Sequence, residues 1–166
     1  ENDKTGNEIA EVLIQKVKEG VEVRFIYDDF GSRTIRKTIV RRLIDAGIEA
    51  YTFNKIVWIA FANRMNYRNH RKIVVIDGNI GYTGGINISD RYDNRKKSDT
   101  GLFWRDTHLR MEGTGVYGLQ HIFLCDWNFC SKQNLAISQE CFPIITFSLT
   151  KKMPVQIISS GPDSDL

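Results

Sequence analysis

Between residues 8 and 53 the apolar positions change period three times, and that alternation limits the folds open to the chain. Residues 8 to 19 place Ile9, Val12, Leu13 and Val17 at helical spacing, and Gly20 follows where a left-handed residue would end a helix. Val21, Val23, Phe25 and Tyr27 then alternate with Glu22 and Arg24, the period of two that sets one face of a strand on a core. After the turn-like Asp28-Asp29-Phe30-Gly31-Ser32, helical spacing returns over residues 33 to 46 through Ile35, Ile39, Leu43 and Ala46, closed by Gly47. Ile48 to Phe53 reads as a further strand. Short strands separated by helices imply an α/β layered domain, because parallel neighbours need a crossover between them. The expected sheet is mixed, mostly parallel, and flanked by helices.

The middle of the chain is different. Lys72 to Asp77 and Ile80 to Ile88 are strand-like and meet at Asp77-Gly78-Asn79, the chemistry of a tight hairpin. Residues 89 to 103 are polar and charged, without helical period, and predict a surface loop of lid-like length. Asp106 to Met111 predicts a strand, and Val116 to Asn128 a helix burying Val116, Leu119, Ile122, Phe123 and Trp127. Val155 to Ser160 is again strand-like, followed by Gly161-Pro162-Asp163, as though it led into something further.

Composition narrows the function. The chain has 166 residues, enough for one domain with a substantial core but not for two, and 42% apolar with 26% charged residues predicts folding without disulfides. No run approaches the roughly 18 to 20 apolar residues of a membrane helix, and the first residues do not resemble a secretory signal. The chain itself is therefore expected to be soluble. A net charge of +3 does not mark a nucleic-acid binder. The cluster Arg33, Arg36, Lys37, Arg41 and Arg42 reads as a solvated helix face, with a polyanion such as anionic lipid as the sharper alternative; Arg64, Arg68, Arg71 and Lys72 surround a histidine. Cys125, Cys130 and Cys141 form no CxxC pair, which favours free thiols over bridges or a zinc site.

The chemistry concentrates in Asn69-His70-Arg71-Lys72-Ile73-Val74-Val75-Ile76-Asp77, an H-x-K-x4-D spacing, with Gly84-Gly85-Ile86-Asn87 six residues on. If this segment is extended, His70 and Lys72 project from one face. An imidazole can attack phosphorus while a neighbouring ammonium stabilises the charge on the non-bridging oxygens, without a metal or cofactor. Asn87 would add a neutral donor to the same oxygens, and Gly84 and Gly85 would let backbone approach where a side chain obstructs. Asp77 has the opposite parity to His70 and lies at the turn, so it reads as structural.

Those two elements together resemble the phospholipase D superfamily, and further segments are similar to its bacterial cardiolipin synthases. They are Gly20-Val21-Glu22-Val23-Arg24, Tyr27-Asp28-Asp29-Phe30-Gly31-Ser32, Asn66-Tyr67-Arg68-Asn69-His70, Thr83-Gly84-Gly85-Ile86-Asn87-Ile88, Asp126-Trp127-Asn128-Phe129 and Ser160-Gly161-Pro162-Asp163-Ser164. The resemblance implies a phospholipase D-like layered domain. Trp104 to Gly113 resembles the segment after the motif, and Asp106 matches the family acid that orients the motif histidine. A surface ion pair to Arg105 or Arg110 is the structural alternative for Asp106. The family often has serine where Gly85 stands, so one hydroxyl donor is absent here. His108 reads as a strand histidine and His121 as a helix residue.

The resemblance further implies that phosphatidylglycerol at an anionic membrane surface is the substrate, and that a phosphatidyl-histidine intermediate delivers its lipid to a second phosphatidylglycerol to give cardiolipin. The family carries N-terminal membrane segments and a second H-x-K-x4-D motif, neither found in this chain. Residues 1–153 are thus expected to form the first catalytic domain, with or without a truncation of its N-terminal part, and 154–166 to begin the connection into the second. The full protein would lie at the bacterial cell membrane, and the lone domain would be inactive as a monomer and inclined to pair with another copy. The competing reading is a single-motif phosphodiesterase or nuclease that assembles one site from two chains.

Overall fold

Two helices end in the same way, and each end launches a strand. The computed structural model describes residues 1–53, 68–95, 103–136, 138–145 and 153–160. In it, helix α1 spans Lys4–Lys18 and helix α2 spans Ile39–Asp45. Beyond α1, Gly20 takes φ 90° and donates to the Val17 carbonyl at 2.9 Å, while Val21 donates to Lys16 at 3.0 Å. Beyond α2, Gly47 takes φ 93°, donates to Ile44 at 2.9 Å, and Ile48 donates to Leu43 at 3.0 Å. These are paired Schellman closures, which satisfy the last carbonyls and reverse the chain at a residue without a Cβ. Strands β1 (Arg24–Asp28) and β2 (Glu49–Phe53) follow and pair in parallel, Arg24 opposite Glu49 and Asp28 opposite Phe53. The connection between them runs through a 3-10 turn at Arg33–Ile35 and then α2, so the helix expected over 33 to 46 is in two pieces.

The described residues fall into two compact units, one drawn from Glu1–His70 and Ile86–Asp106, the other from Arg71–Gly85 and Thr107–Leu166. The first unit's core is Ala10, Ile35, Ile39, Val40, Leu43 and Ile48, with Leu13, Ile14, Val17, Val23, Phe25 and Tyr27 packed around it. Ile9 and Val12, expected on the buried face of α1, are exposed, as is Val21. The helix instead approaches α2 at its small residues: a Cβ on Gly6 would lie 3.2 Å from Ile39 Cδ1. Close packing at Gly6 and Ala10 turns the bulkier Ile9 and Val12 outward. The N-terminus of α1 is capped twice. Asp3 accepts the Gly6 N–H at 2.9 Å and the Asp90 N–H at 2.8 Å, and Asp90 in return accepts the Thr5 N–H at 2.8 Å. Carboxylates are favourable there because the first N–H groups of a helix have no internal partner.

The second unit is built on an antiparallel sheet, β3 (Ile73–Ile76), β4 (Ile80–Gly84) and β5 (His108–Glu112), in the order β3-β4-β5. The hairpin falls where Asp77-Gly78-Asn79 predicted it. Asp77 and Gly78 both have positive φ, and Asn79 donates to Ile76 at 3.0 Å. Helix α3 (Val116–Ser131) covers one face: a Cβ on Gly81 would meet Leu119 at 3.0 Å and Val116 at 3.3 Å. Its buried side is Val116, Leu119, Leu124 and Trp127; Ile122 and Phe123 are half-buried.

The α/β class holds, with parallel pairing confined to β1-β2 and antiparallel pairing through β3-β4-β5 among the described residues. A hairpin imposes that second arrangement, since a three-residue turn can join only antiparallel neighbours. Strand boundaries also differ from expectation: β1 begins at Arg24 rather than Val21 and β2 at Glu49 rather than Ile48. β3 begins at Ile73, β4 ends at Gly84 and β5 begins at His108. Residues 155–160, expected as a strand, pair with no sheet; Ile157 instead packs on α3 at Gly118, and Val155 lies 3.7 Å from the Cβ position of Gly115. Of the expected loop 89 to 103, residues 90–92 form a 3-10 turn, while 96–102 lie outside the described residues.

Candidate functional site

The motif residues are divided between the two units. His70, Asn87 and Asp106 belong to the first, and Lys72, Asp77, Gly84 and Gly85 to the second. The ladder of β3 starts one residue after Lys72, so the common face argued for His70 and Lys72 is not fixed by strand pairing: Arg68 to Lys72 precede the strand.

His70 is exposed, and the backbone before it is anchored. Asp28, at the end of β1, accepts the Asn69 N–H through Oδ1 at 3.3 Å and the Arg68 guanidinium through Oδ2 at 3.2 Å. Its neighbour Asp29 is buried, accepts from the Thr52 hydroxyl of β2 at 3.2 Å, and pairs with Arg36. The two adjacent acids thus reach different segments, Asp28 the residues before the histidine and Asp29 both Arg36, just after the 3-10 turn, and Thr52 of β2. Phe30 completes the group, with the Arg33 and Arg68 guanidinium carbons 4.5 and 4.7 Å from its ring centre.

Asn87 is exposed, and its amide donates to the Tyr92 hydroxyl at 2.6 Å. Tyr92 stacks on Trp104 at 5.4 Å, and the Asn94 amide donates to the Trp104 carbonyl at 2.6 Å. Beside these contacts lies an open pocket of about 210 Å³ whose wall includes Ile86, Tyr92, Phe103, Trp104 and Asp106. Asp106 is thus set beside an aromatic wall, which no sequence period announced. The Asp3–Asp90 latch ties this same stretch to α1.

In the second unit, Gly85 donates to the Thr107 carbonyl at 2.9 Å. A Cβ on Gly84 would lie 2.6 Å from His108 Cα and 2.8 Å from its Nδ1. What the first glycine admits in the structure is β5, which passes where a side chain would stand. His108 Nδ1 is buried without a hydrogen-bond partner among the described residues. His121 is exposed on α3, with Nε2 3.6 Å from Cys125 Sγ. Lys72 is half-buried, and Arg71, beside His70, is held by Asp126 of α3 at 2.9 Å. All three cysteines are free thiols. Among the described residues no group of three or more His, Cys, Asp or Glu side chains could hold a metal ion, and no helix is long and apolar enough to cross a membrane.

Comparison with known proteins gives a consistent assignment. A family model described as cardiolipin synthase, PLD-like domain matches residues 4–113. Cardiolipin synthase 1 of Bacillus cereus is 43% identical over 169 residues, covering 99% of this chain and 33% of that protein. Cardiolipin synthase of Alkalihalophilus pseudofirmus is 44% identical over 164 residues, covering 98% and 32%. The major cardiolipin synthase of Bacillus subtilis is 42% identical over 166 residues, covering 98% and 33%. The chain spans about a third of the length of these curated relatives. No solved structure matches it.

Proposed function

The chain belongs to the cardiolipin synthase family of phospholipase D-like domains, and we propose on that premise that it is one catalytic half of a phosphatidyltransferase that makes cardiolipin from two phosphatidylglycerol molecules. The observation supporting this most directly is the extent of the likeness, 43% identity across 99% of the chain with His70, Lys72, Gly84, Gly85 and Asn87 at motif spacing.

In the proposed reaction an imidazole nitrogen of His70 attacks the phosphorus of the first phosphatidylglycerol. The bond from phosphorus to the headgroup glycerol breaks, and glycerol leaves with a proton from an acid on the opposite side. Lys72 and Asn87 stabilise the non-bridging oxygens, and Asp106 accepts from the other imidazole nitrogen and supports the cation as it forms. A hydroxyl of the second phosphatidylglycerol then attacks the same phosphorus, its proton passing to the group that had protonated glycerol; the P–N bond breaks, and His70 is released with cardiolipin. The leaving alkoxide needs a proton donor at neutral pH, and one histidine cannot serve as nucleophile and acid in the same step. The acid is assigned to a second motif in the remaining two thirds of a relative-sized protein, so this chain as a monomer is half a site. Two copies of it could also complete one another. Its working place is the anionic membrane surface where both substrates reside.

The test is turnover of phosphatidylglycerol by the enzyme expressed from its whole reading frame. Cardiolipin and free glycerol should form in equal amounts, and His70→Ala should abolish both. Metal-independent cleavage of DNA without cardiolipin formation would replace this reading with the nuclease one.

A further inference from the structure

Asp28 holds the two residues immediately before His70 with a single carboxylate. Its side chain is 13% exposed, and both oxygens are engaged: Oδ1 by the Asn69 N–H at 3.3 Å, Oδ2 by the Gly31 N–H at 2.7 Å and Arg68 Nη2 at 3.2 Å. The carboxylate itself is fixed from below, because Asp28 is the last residue of β1 and pairs with Phe53 of β2. Arg68 is fixed a second time by the face of Phe30, in the same turn that offers the Gly31 N–H. Chain segments 40 residues apart are thereby joined at one point, one position short of the proposed nucleophile.

From this geometry we infer that Asp28 is a positioning residue for His70, an inference that rests on the role proposed for His70 above. His70 is exposed, so packing does not fix its backbone, and the contacts of the two preceding residues do. A nucleophile has to approach phosphorus to roughly 3 to 3.5 Å along a defined line, and a misplacement of about 1 Å can cost about 100-fold. Fixing the Asn69 N–H orients the peptide from which His70 follows, and the Arg68 contact restrains the preceding residue. A carboxylate suits this place and an amide does not. Three donors converge on two oxygens, and an asparagine would turn its NH2 toward at least one of them. The bond to the guanidinium is charge-assisted, stronger than a neutral pair. Asp28 touches neither lipid nor phosphorus in this scheme.

The test uses the enzyme from its whole reading frame with Asp28→Asn, Asp28→Ala and Arg68→Met. Turnover of phosphatidylglycerol is normalised to the folded fraction, and backbone hydrogen–deuterium exchange is followed over residues 68–70 and over β1. Both Asp28 variants should lower kcat roughly 30- to 100-fold with KM within about twofold, and exchange should rise at 68–70 while β1 stays protected. Arg68→Met, which keeps the Asn69 bond, should fall between them and the parent. A kcat per folded enzyme equal to the parent in both Asp28 variants would overturn the inference, and so would a lower kcat with unchanged exchange at 68–70, since Asp28 would then act elsewhere. If the parent makes no cardiolipin, the functional reading fails separately, and exchange alone decides: unchanged protection at 68–70 in Asp28→Ala rejects the positioning role, and its loss upholds the anchor.

Discussion

Asp126 of α3 takes the Arg71 guanidinium at 2.9 and 3.1 Å through its two oxygens, joining positions 55 residues apart. The same guanidinium donates to the Ser160 carbonyl at 3.2 Å. With side-chain exposures of 32% and 14%, the pair is sheltered enough to matter. Breaking one partner of such a pair leaves the other charge poorly solvated. Asp126→Ala should therefore destabilise by about 1 to 3 kcal/mol, read as a lower denaturant midpoint at unchanged slope. A loss under about 0.5 kcal/mol would place Arg71 among solvent-screened surface ions.

Asp106 is exposed, so its carboxylate contributes little to folding and its removal should show in catalysis. In the proposed mechanism Asp106→Asn leaves the shape of the site but forfeits the orientation and charge support given to His70. The expected loss is about 100- to 10,000-fold in kcat, with stability within about 0.5 kcal/mol. Near-native turnover in the whole enzyme would return Asp106 to the surface ion pair that sequence allowed.

The glycine before Gly85 makes a separate claim about the sheet. A methyl group at position 84 would press on His108, 2.6 Å from its Cα, and β4 and β5 would have to separate. Gly84→Ala should cost about 1 to 3 kcal/mol in thermal or chemical unfolding. An unchanged stability would show that β5 can shift to admit it.

Most elements are legible in the sequence because period and glycine chemistry are local. Gly20 and Gly47 end their helices by a bond pattern confined to six residues, and the Asp77-Gly78 turn is as local. On α1 the periodic residues Leu13 and Val17 do pack on the core, while Ile9 and Val12 are exposed: they outweigh Gly6 and Ala10 on any hydropathy count, whereas close helix approach selects for small side chains. The anchoring roles of Asp28 and Asp126 were not legible at all. Each acid meets its arginine across 40 or 55 residues, and an isolated acid in sequence reads as a solvated one. The likeness to the family had marked both segments, and the structure supplies a physical reason for them: they hold the residues on either side of His70. Likewise the Tyr92–Trp104 stack beside Asp106 is assembled across a polar loop that carries no period.

Cys130 gives a prediction that does not depend on function. Burial pushes its thiol up to about 11 from an ordinary 9.0, and the Asp126 carboxylate adds to the rise against the opposing charge of Lys132. A thiol whose pKa is raised on folding is held neutral in the native state, while the unfolded chain gives up its proton near pH 9. Between those two values the unfolded state binds fewer protons, so stability falls as pH rises, by up to about 1.4 kcal/mol per pH unit for one group. Below pH 9 both states keep the proton and the group contributes no slope. Cys130→Ala should accordingly remove one group's slope between pH 9 and 11 when unfolding free energies are compared with the parent. The same burial predicts selective chemistry at pH 8, because the thiolate is the nucleophile and native Cys130 is held as the thiol. Iodoacetamide should label the exposed Cys125 of the folded protein and spare Cys130 until denaturant is added. Equal labelling of the two thiols in the native state, with parallel pH profiles for parent and Cys130→Ala, would mean that this end of α3 opens to solvent.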